Sequence, residues 1–297
     1  MPLSQTPTAI AIDPRRYLMA IHGPAGVGKT SFGAQIAGHY FFHTPNSGVE
    51  GVEIYGDPIL SWKDFVAKAK EVIDAKKGGF ESQREIKICV IDVLGDLFDY
   101  AGVEVCATQR FMDKGVAYKF DKIDDVPWGK GYKAAYKLLL RNLGTLYLNG
   151  FGILLISHTK ERIVKWAGQD LTHYGFNLPP SAALAVKAAC GAIGHFIVEE
   201  RIEKGEGGVI LRVETGRSMF WQPTFLRLAK HRLKHFPEKL DLPIDRGWET
   251  YCDAFAETVE NLRTAKLKTQ ELTLKQHPVT VVITDSKGNV TKSESVS

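Results

Sequence analysis

Cysteine is scarce in this 297-residue chain: Cys89, Cys106, Cys190 and Cys252 lie far apart and form no Cys-x-x-Cys pair. A thiolate zinc site and a disulfide-stapled scaffold are therefore not expected, and the pattern suits a reducing cytoplasm. Long apolar runs are missing as well. No stretch approaches 18 consecutive apolar residues, so no membrane span is expected. The opening MPLSQTPTAIAIDPRR has no charged start followed by an apolar segment, so a secretory leader is not expected either. Excess charge is small, with 38 basic and 34 acidic side chains giving +4. That balance neither requires nor excludes a nucleic-acid partner, because clustering of charge matters more than its total. No internal repeat is present. What remains is 44% hydrophobic and 24% charged, the proportions of an ordinary globular protein long enough to bury a large core.

Apolar segments of strand type alternate with helical stretches. Strands are predicted at 17–23, 39–44, 86–92 and 151–158, and helices at 29–40, 94–111, 131–150 (closed by Gly150) and 182–190. The segment 61–77 spaces Trp62, Phe65, Val66, Ala69, Val72 and Ile73 along one helical face behind Ser61 as its cap. Strands this uniformly apolar belong in a parallel sheet covered on both faces by helices. A late antiparallel hairpin is predicted over 195–215, turning around Gly205, Gly207 and Gly208. The expected layout is a flexible arm (1–14), one α/β domain (15–247), a terminal helix (248–265) and a flexible tail (266–297) with a possible strand at 278–285.

The first strand and first helix are joined by Gly23-Pro24-Ala25-Gly26-Val27-Gly28-Lys29-Thr30, which fits G-x-x-x-x-G-K-[ST], with Ser31 following. Glycines let backbone N–H groups close around phosphate oxygens without a Cβ in the way. The start of the helix favours negative charge at the same point. Lys29 is expected on the β- and γ-phosphates and the Thr30 hydroxyl on Mg²⁺. This chain is read as binding a nucleoside triphosphate.

Asp92 ends the apolar strand IKICVID and is the matching carboxylate for Mg²⁺. The long interval between the loop and Asp92 leaves room for an extra strand and a helix. That suits the RecA-like and AAA+ division of phosphate-loop NTPases better than simple nucleotide kinases. His158 ends the next strand, where a polar residue in this division senses the γ-phosphate; a surface histidine would occupy the same place. Lys160 and Arg162 follow it, as phosphate or nucleic-acid contacts or as an ordinary solvated loop. Lys230 and Arg232, in LAKHR, would share one face of a strand and suit a finger reaching a neighbouring subunit's γ-phosphate. A basic surface strand is the plainer alternative.

In order, GPAGVGKTSF, CVIDVLGDLF, ILLISHTKE and LAKHR resemble the phage-encoded RecA-like ATPases of the Sak single-strand annealing group, over roughly 17–245. Trp128 and Tyr132 ahead of a helix, and a strand ending in Ser-His, belong to the same likeness. The resemblance implies a RecA-like core binding ATP and Mg²⁺, a homo-oligomer, single-stranded DNA as partner, and a role in phage recombination or replication in the host cytoplasm. A single-strand binding protein is a further implied partner. Lys29 and Thr30 would bind phosphate and magnesium, Asp92 magnesium, and His158 would be the sensor. Lys230 and Arg232 resemble the Lys-x-Arg pair of ring helicases of the DnaB kind, which acts in trans. Two positions depart from the pattern. Asn46 stands near the place of the water-activating glutamate, with Glu50 and Glu53 displaced downstream, and Val93 follows Asp92 where Ser or Thr is usual. Binding of nucleotide is thus the firmer expectation and hydrolysis the slower one.

Three functions fit these residues: an ATP-dependent single-stranded DNA-binding or annealing factor, a nucleotide switch that recruits partners without handling DNA, and a small-molecule kinase. No second substrate motif supports the kinase. The basic segments 160–165 and 230–235 favour DNA through phosphate neutralisation, with Trp166, Tyr174 and Phe236 nearby as stacking candidates or packing residues.

Overall fold

The computed structural model describes residues 13–79, 85–113, 115–204, 210–276, 279–284 and 290–296. Residues 1–12 of the arm expected over 1–14 and the tip of the late hairpin, with Gly205, Gly207 and Gly208, lie outside them, while Asp13 caps a short turn over Pro14–Arg16. Strands β1 (Leu18–Gly23), β2 (His39–His43), β3 (Gly56–Pro58), β4 (Ile88–Asp92), β7 (Gly152–Trp166), β8 (Gln169–Phe176), β9 (Ala192–Lys204), β10 (Ile210–Phe220), β11 (Lys230–His231) and β12 (Lys239–Asp241) form one sheet. Its order is β12-β10-β9-β1-β7-β4-β2-β3, with β8 on β7 and β11 on β9. From β9 to β3 every neighbouring pair is parallel; β10, β12, β11 and β8 add antiparallel pairs. The fold is α/β with a mostly parallel sheet and a late antiparallel hairpin, as expected from the sequence.

Strand alternation explains why both faces are covered. Ala20, Phe42, Cys89, Ile91, Ile153 and Leu155 face one core, closed by α2 (Trp62–Lys77), α3 (Leu94–Thr108), α4 (Lys130–Leu148) and α5 (Pro180–Ala189). Met19, Ile21, Phe41, Val90, Leu154 and Ile156 face the other, closed by α1 (Lys29–Ala34) and α6 (Gly247–Gln276) through Phe32, Trp248, Tyr251 and Phe255. Helix α2 starts where its sequence says it should, with Ser61 Oγ accepting from Asp64 N at 3.2 Å. Among the described residues no helix is long and apolar enough to cross a membrane.

Several boundaries differ from the sequence reading. Helix α1 stops at Ala34, because Gly38 turns the chain at φ +80° directly into β2. Helix α3 ends at Thr108, and Phe111–Asp113 (β5) instead pairs with Val116–Tyr118 (β6). The largest difference is β7. It does not end at His158 but runs on for eight residues and returns as β8, turning at Ala167 and Gly168 with φ +50° and +80°. Lys160–Lys165 is therefore one strand of a hairpin arm and not a loop. The tail expected to be flexible also carries structure: α6 continues to Gln276, and β13 (Val279–Thr284) pairs with β14 (Val290–Val296). Every residue of VTVVIT is β-branched, a composition that suits a strand.

Candidate nucleotide site

The parallel strands point their carboxyl ends at one edge, and the loop between β1 and α1 sits there. Gly26 and Gly28 have φ of +76° and +91°, the left-handed region that favours glycine. Helix α1 is only six residues long, so its usable electrostatics are the first-turn N–H groups of Lys29, Thr30 and Ser31, which have no i−4 partner within the helix. Lys29 is buried, and its Nζ donates to the carbonyls of Gly23 (3.0 Å) and Pro24 (2.6 Å). Burial lowers its pKa to about 8, with Asp92 pulling the other way. Among the described residues the cation is held inside the loop by carbonyls, without a carboxylate against its ammonium.

Asp92 closes the site from the tip of β4. Its Oδ2 accepts the Thr30 hydroxyl at 2.7 Å, and burial raises its pKa to about 6 against the pull of Thr30 and Lys29. Among the described residues no cluster of three or more His, Cys, Asp or Glu side chains could hold a metal on its own. A buried hydroxyl–carboxylate pair beside a triphosphate loop nevertheless fits Mg²⁺, which keeps waters and takes ligand phosphates alongside one or two protein oxygens. The carbonyl-held Lys29 and the open first-turn N–H groups fit the phosphates of a nucleotide.

His158 is the direct register partner of Gly23, so this histidine, within β7 rather than at its end, stands beside the first residue of the loop. Its pKa is lowered by burial and then by the Lys29 charge, while the Asn46 carbonyl and Asp96 favour its proton. Sequence reasoning missed Asp96, which lies in the first turn of α3. Its Oδ2 accepts from Thr44 Oγ1 (2.6 Å) and Asn46 Nδ2 (3.0 Å), and Thr44 is fixed in turn by a bond from its N–H to the Asp92 carbonyl (2.7 Å). Asn46, Asp96, Asp92, Lys29 and His158 thus form one polar neighbourhood. Glu50 and Glu53 are exposed. A Thr-x-Asn segment after one strand and an Asp four residues after the next strand's terminal Asp was the available signal for Asp96.

A second residue missed from the sequence is Arg217 on β10, whose Nη1 approaches Val27 O at 3.5 Å. Beneath the loop, His22 is fully buried, its Nε2 donating to Leu228 O (2.7 Å) and its Nδ1 accepting from Thr159 Oγ1 (3.0 Å). It stacks on His195 with ring centroids 4.5 Å apart. Lys230 and Arg232 are elsewhere. Lys230 Nζ donates to the carbonyls of Lys187 (2.8 Å) and Cys190 (2.7 Å), and Arg232 Nη2 to Ala188 O (3.3 Å), all at the carboxyl end of α5. The Arg232 backbone bonds Gly191 O, and Gly191 N bonds Leu18 O at the start of β1. Five strand steps separate that level from Gly23, roughly 16 Å. The structure does not bring this pair to its own chain's loop. Of the three aromatics near the basic segments, Phe236 is in the core, Tyr174 stacks on His195, and Trp166 is 60% exposed.

The match to known families agrees with this geometry. A family model described as an AAA domain matches residues 15–233, which includes the loop, Asp92, His158 and the Lys230–Arg232 segment. The chain belongs to this family. Its AAA domain is a nucleotide-binding ATPase module of the phosphate-loop class, and the mostly parallel sheet with its β9–β10 hairpin is the scaffold of that module. No curated protein matches the chain.

Proposed function

We propose that this AAA domain is an ATP-dependent single-stranded DNA-binding factor of the Sak annealing kind, acting as a homo-oligomer in phage recombination or replication. Lys29 and the loop N–H groups bind the ATP phosphates, Thr30 and Asp92 hold Mg²⁺, and His158 reads the terminal phosphate. Asn46, braced by Asp96, occupies the place of a water-activating glutamate. A carboxamide polarises water less than a carboxylate does, so turnover is slow and the bound state is long-lived.

One observation carries the DNA half of this reading. The strand that sets His158 beside Gly23 continues without a break into the β7–β8 arm, so the phosphate sensor and the arm are parts of the same rigid element. The arm exposes Lys160 and Lys165, and near its tip Trp166 packs against Phe225 at 4.8 Å with both rings about half exposed. Arg162 is tied to the Leu178 carbonyl and braces the arm. Cations beside exposed aromatic rings suit a flexible, base-exposing phosphodiester chain, and stacking of one base is worth about 1–3 kcal/mol.

The test is binding of a labelled single-stranded oligonucleotide with ATP or ADP, across a salt series. Binding should be stronger with ATP and fall steeply with salt. Trp166→Ala should weaken it about tenfold with ATP affinity unchanged. If the wild-type protein with ATP binds no oligonucleotide at low salt, the DNA assignment fails and the nucleotide-switch reading replaces it.

A further inference from the structure

Two flanks meet the phosphate loop. On one, β7 and β4 present His158 and Asp92, and the Thr30 hydroxyl of α1 bonds Asp92. On the other, β9 and β10 present Arg217. Arg217 is paired with Val198 on β9, and Phe196 of the same strand packs its carbonyl against Gly23, so Arg217 stands two residues beyond the level at which β1 ends. Its side chain therefore leans over the carboxyl edge and onto the loop. There its Nη1 lies so close to Gly28 that a Cβ at that position would collide with it. Gly28 is left-handed for its own backbone reasons, and the arginine uses the room that a missing side chain leaves.

The guanidinium is poorly committed for a group in this position. Its one hydrogen bond among the described residues is the long contact to Val27 O, and its Nε is buried with no partner. Burial lowers its pKa while Asp245 pulls the other way, and no carboxylate makes an ion pair with it among the described residues. A planar, always-charged fork with free N–H groups, held against a loop that binds phosphate, is suited to bidentate contact with phosphate oxygens.

We propose that Arg217 is a second cation of the nucleotide site, supplied in cis, which binds the non-terminal phosphates on the flank opposite Asp92 and His158. This inference rests on the nucleotide reading of the loop. The position follows from the topology: the metal pair and the sensor occupy the β7–β4 side, where the terminal phosphate is assigned, and Arg217 touches the loop from the β9 side. The contact is thus common to di- and triphosphate, which sets it apart from a finger acting on the γ-phosphate.

The experiment is titration of wild-type, Arg217→Ala, Arg217→Gln and Arg217→Lys proteins with fluorescent ADP and ATP analogues, at low and high salt, alongside the thermal midpoint of each protein without nucleotide. Arg217→Ala should weaken ADP and ATP by the same factor, about tenfold, and the gap from wild type should narrow at high salt. Arg217→Gln keeps the stem and should show the same loss if Arg217→Ala folds poorly. Arg217→Lys keeps charge without the fork and should recover part of the affinity, which a purely structural brace of Val27 O would not. Wild-type binding with all variants within twofold of it overturns the inference and leaves the nucleotide reading standing. Loss for ATP alone, or a salt-independent loss that tracks a fallen thermal midpoint, also overturns it. Absence of nucleotide binding by the wild-type protein overturns both.

Discussion

The two ends of the parallel strands carry the same kinds of residues and use them differently. At the carboxyl end, Lys29 is buried with a lowered pKa and bonded to the carbonyls of its own loop, and Asp92 is buried with a raised one. Each is kept in a state that a charged ligand would relieve. At the amino end, Lys230 and Arg232 are bonded to the last carbonyls of α5, where a helix leaves acceptors unpaired and a cation is favoured. Burial lowers the pKa of Lys230 as well, but Lys230 is only partly buried and Arg232 is exposed. The difference teaches that a basic residue beside apolar strands signals function by its depth and by a neighbouring loop that can receive an anion, not by carbonyl bonds alone.

The comparison breaks most easily at Lys29. Lys29→Ala should abolish detectable binding of a fluorescent ATP analogue, a loss of at least a hundredfold, while the protein stays folded by circular dichroism. The loss follows from removing the one buried cation of the loop. Unchanged affinity would remove the distinction between the two ends and with it the nucleotide assignment.

Acidification probes the same contrast through the buried histidines. Burial lowers the pKa of His22 to about 3 and those of His195 and His231 to about 4, so all three are neutral in the folded protein at pH 7. Their folded pKa values lie below the ordinary value of 6.5. The unfolded chain therefore binds more protons below pH 6.5, and stability falls as pH drops from there towards 4. Asp92 acts oppositely: its raised pKa of about 6 means that the folded state takes up a proton first, which offsets part of the loss. Three groups against one should leave a net loss on the order of 2 kcal/mol between pH 6.5 and 5.5. Urea unfolding at the two pH values measures it; a flat profile would mean that these histidines are not held neutral.

Much of this was legible in the sequence, for identifiable reasons. The loop and Asp92 stood out because each lies at the end of a short apolar run that is also the end of a strand, and His158 because the apolar part of β7 ends there although the strand itself goes on to Trp166. The alternation of strand and helix gave the sheet and both its cores. The arm was not readable. After His158 the segment Thr159–Trp166 turns polar, as a strand with no covered face does, and polarity alone reads as loop. Asp96 and Arg217 were missed because their partners, Thr44 and Asn46 in one case and Val27 and Gly28 in the other, are brought to them by sheet order. No local spacing encodes that β10 lies two strands from β1. The Lys-x-Arg pair is plain in sequence order, but no local spacing encodes that β11 is only two residues long and that both side chains bond the carboxyl end of α5.

The smallest expected effect decides what Lys230 and Arg232 do. If they act as caps on α5, Lys230→Ala removes two bonds to helix carbonyls and should cost about 1 kcal/mol, a fall of roughly 2–4 °C in Tm, with nucleotide affinity unchanged. Arg232 makes one longer bond from an exposed guanidinium, so Arg232→Ala should cost less, about 0.5 kcal/mol. A finger acting on a neighbouring subunit predicts another pattern: Tm and ATP affinity intact, ATP hydrolysis lost, and partial recovery when the Arg232→Ala protein is mixed with Asp92→Ala protein, since each would supply what the other lacks. The two sets of results do not overlap. Because the caps hold the side chains at the amino end, a trans contact would require the neighbour's loop to come to that end and outcompete the α5 carbonyls. A helix C-terminus offers partial charge and a triphosphate several full ones, so the exchange is electrostatically downhill once the two are in reach.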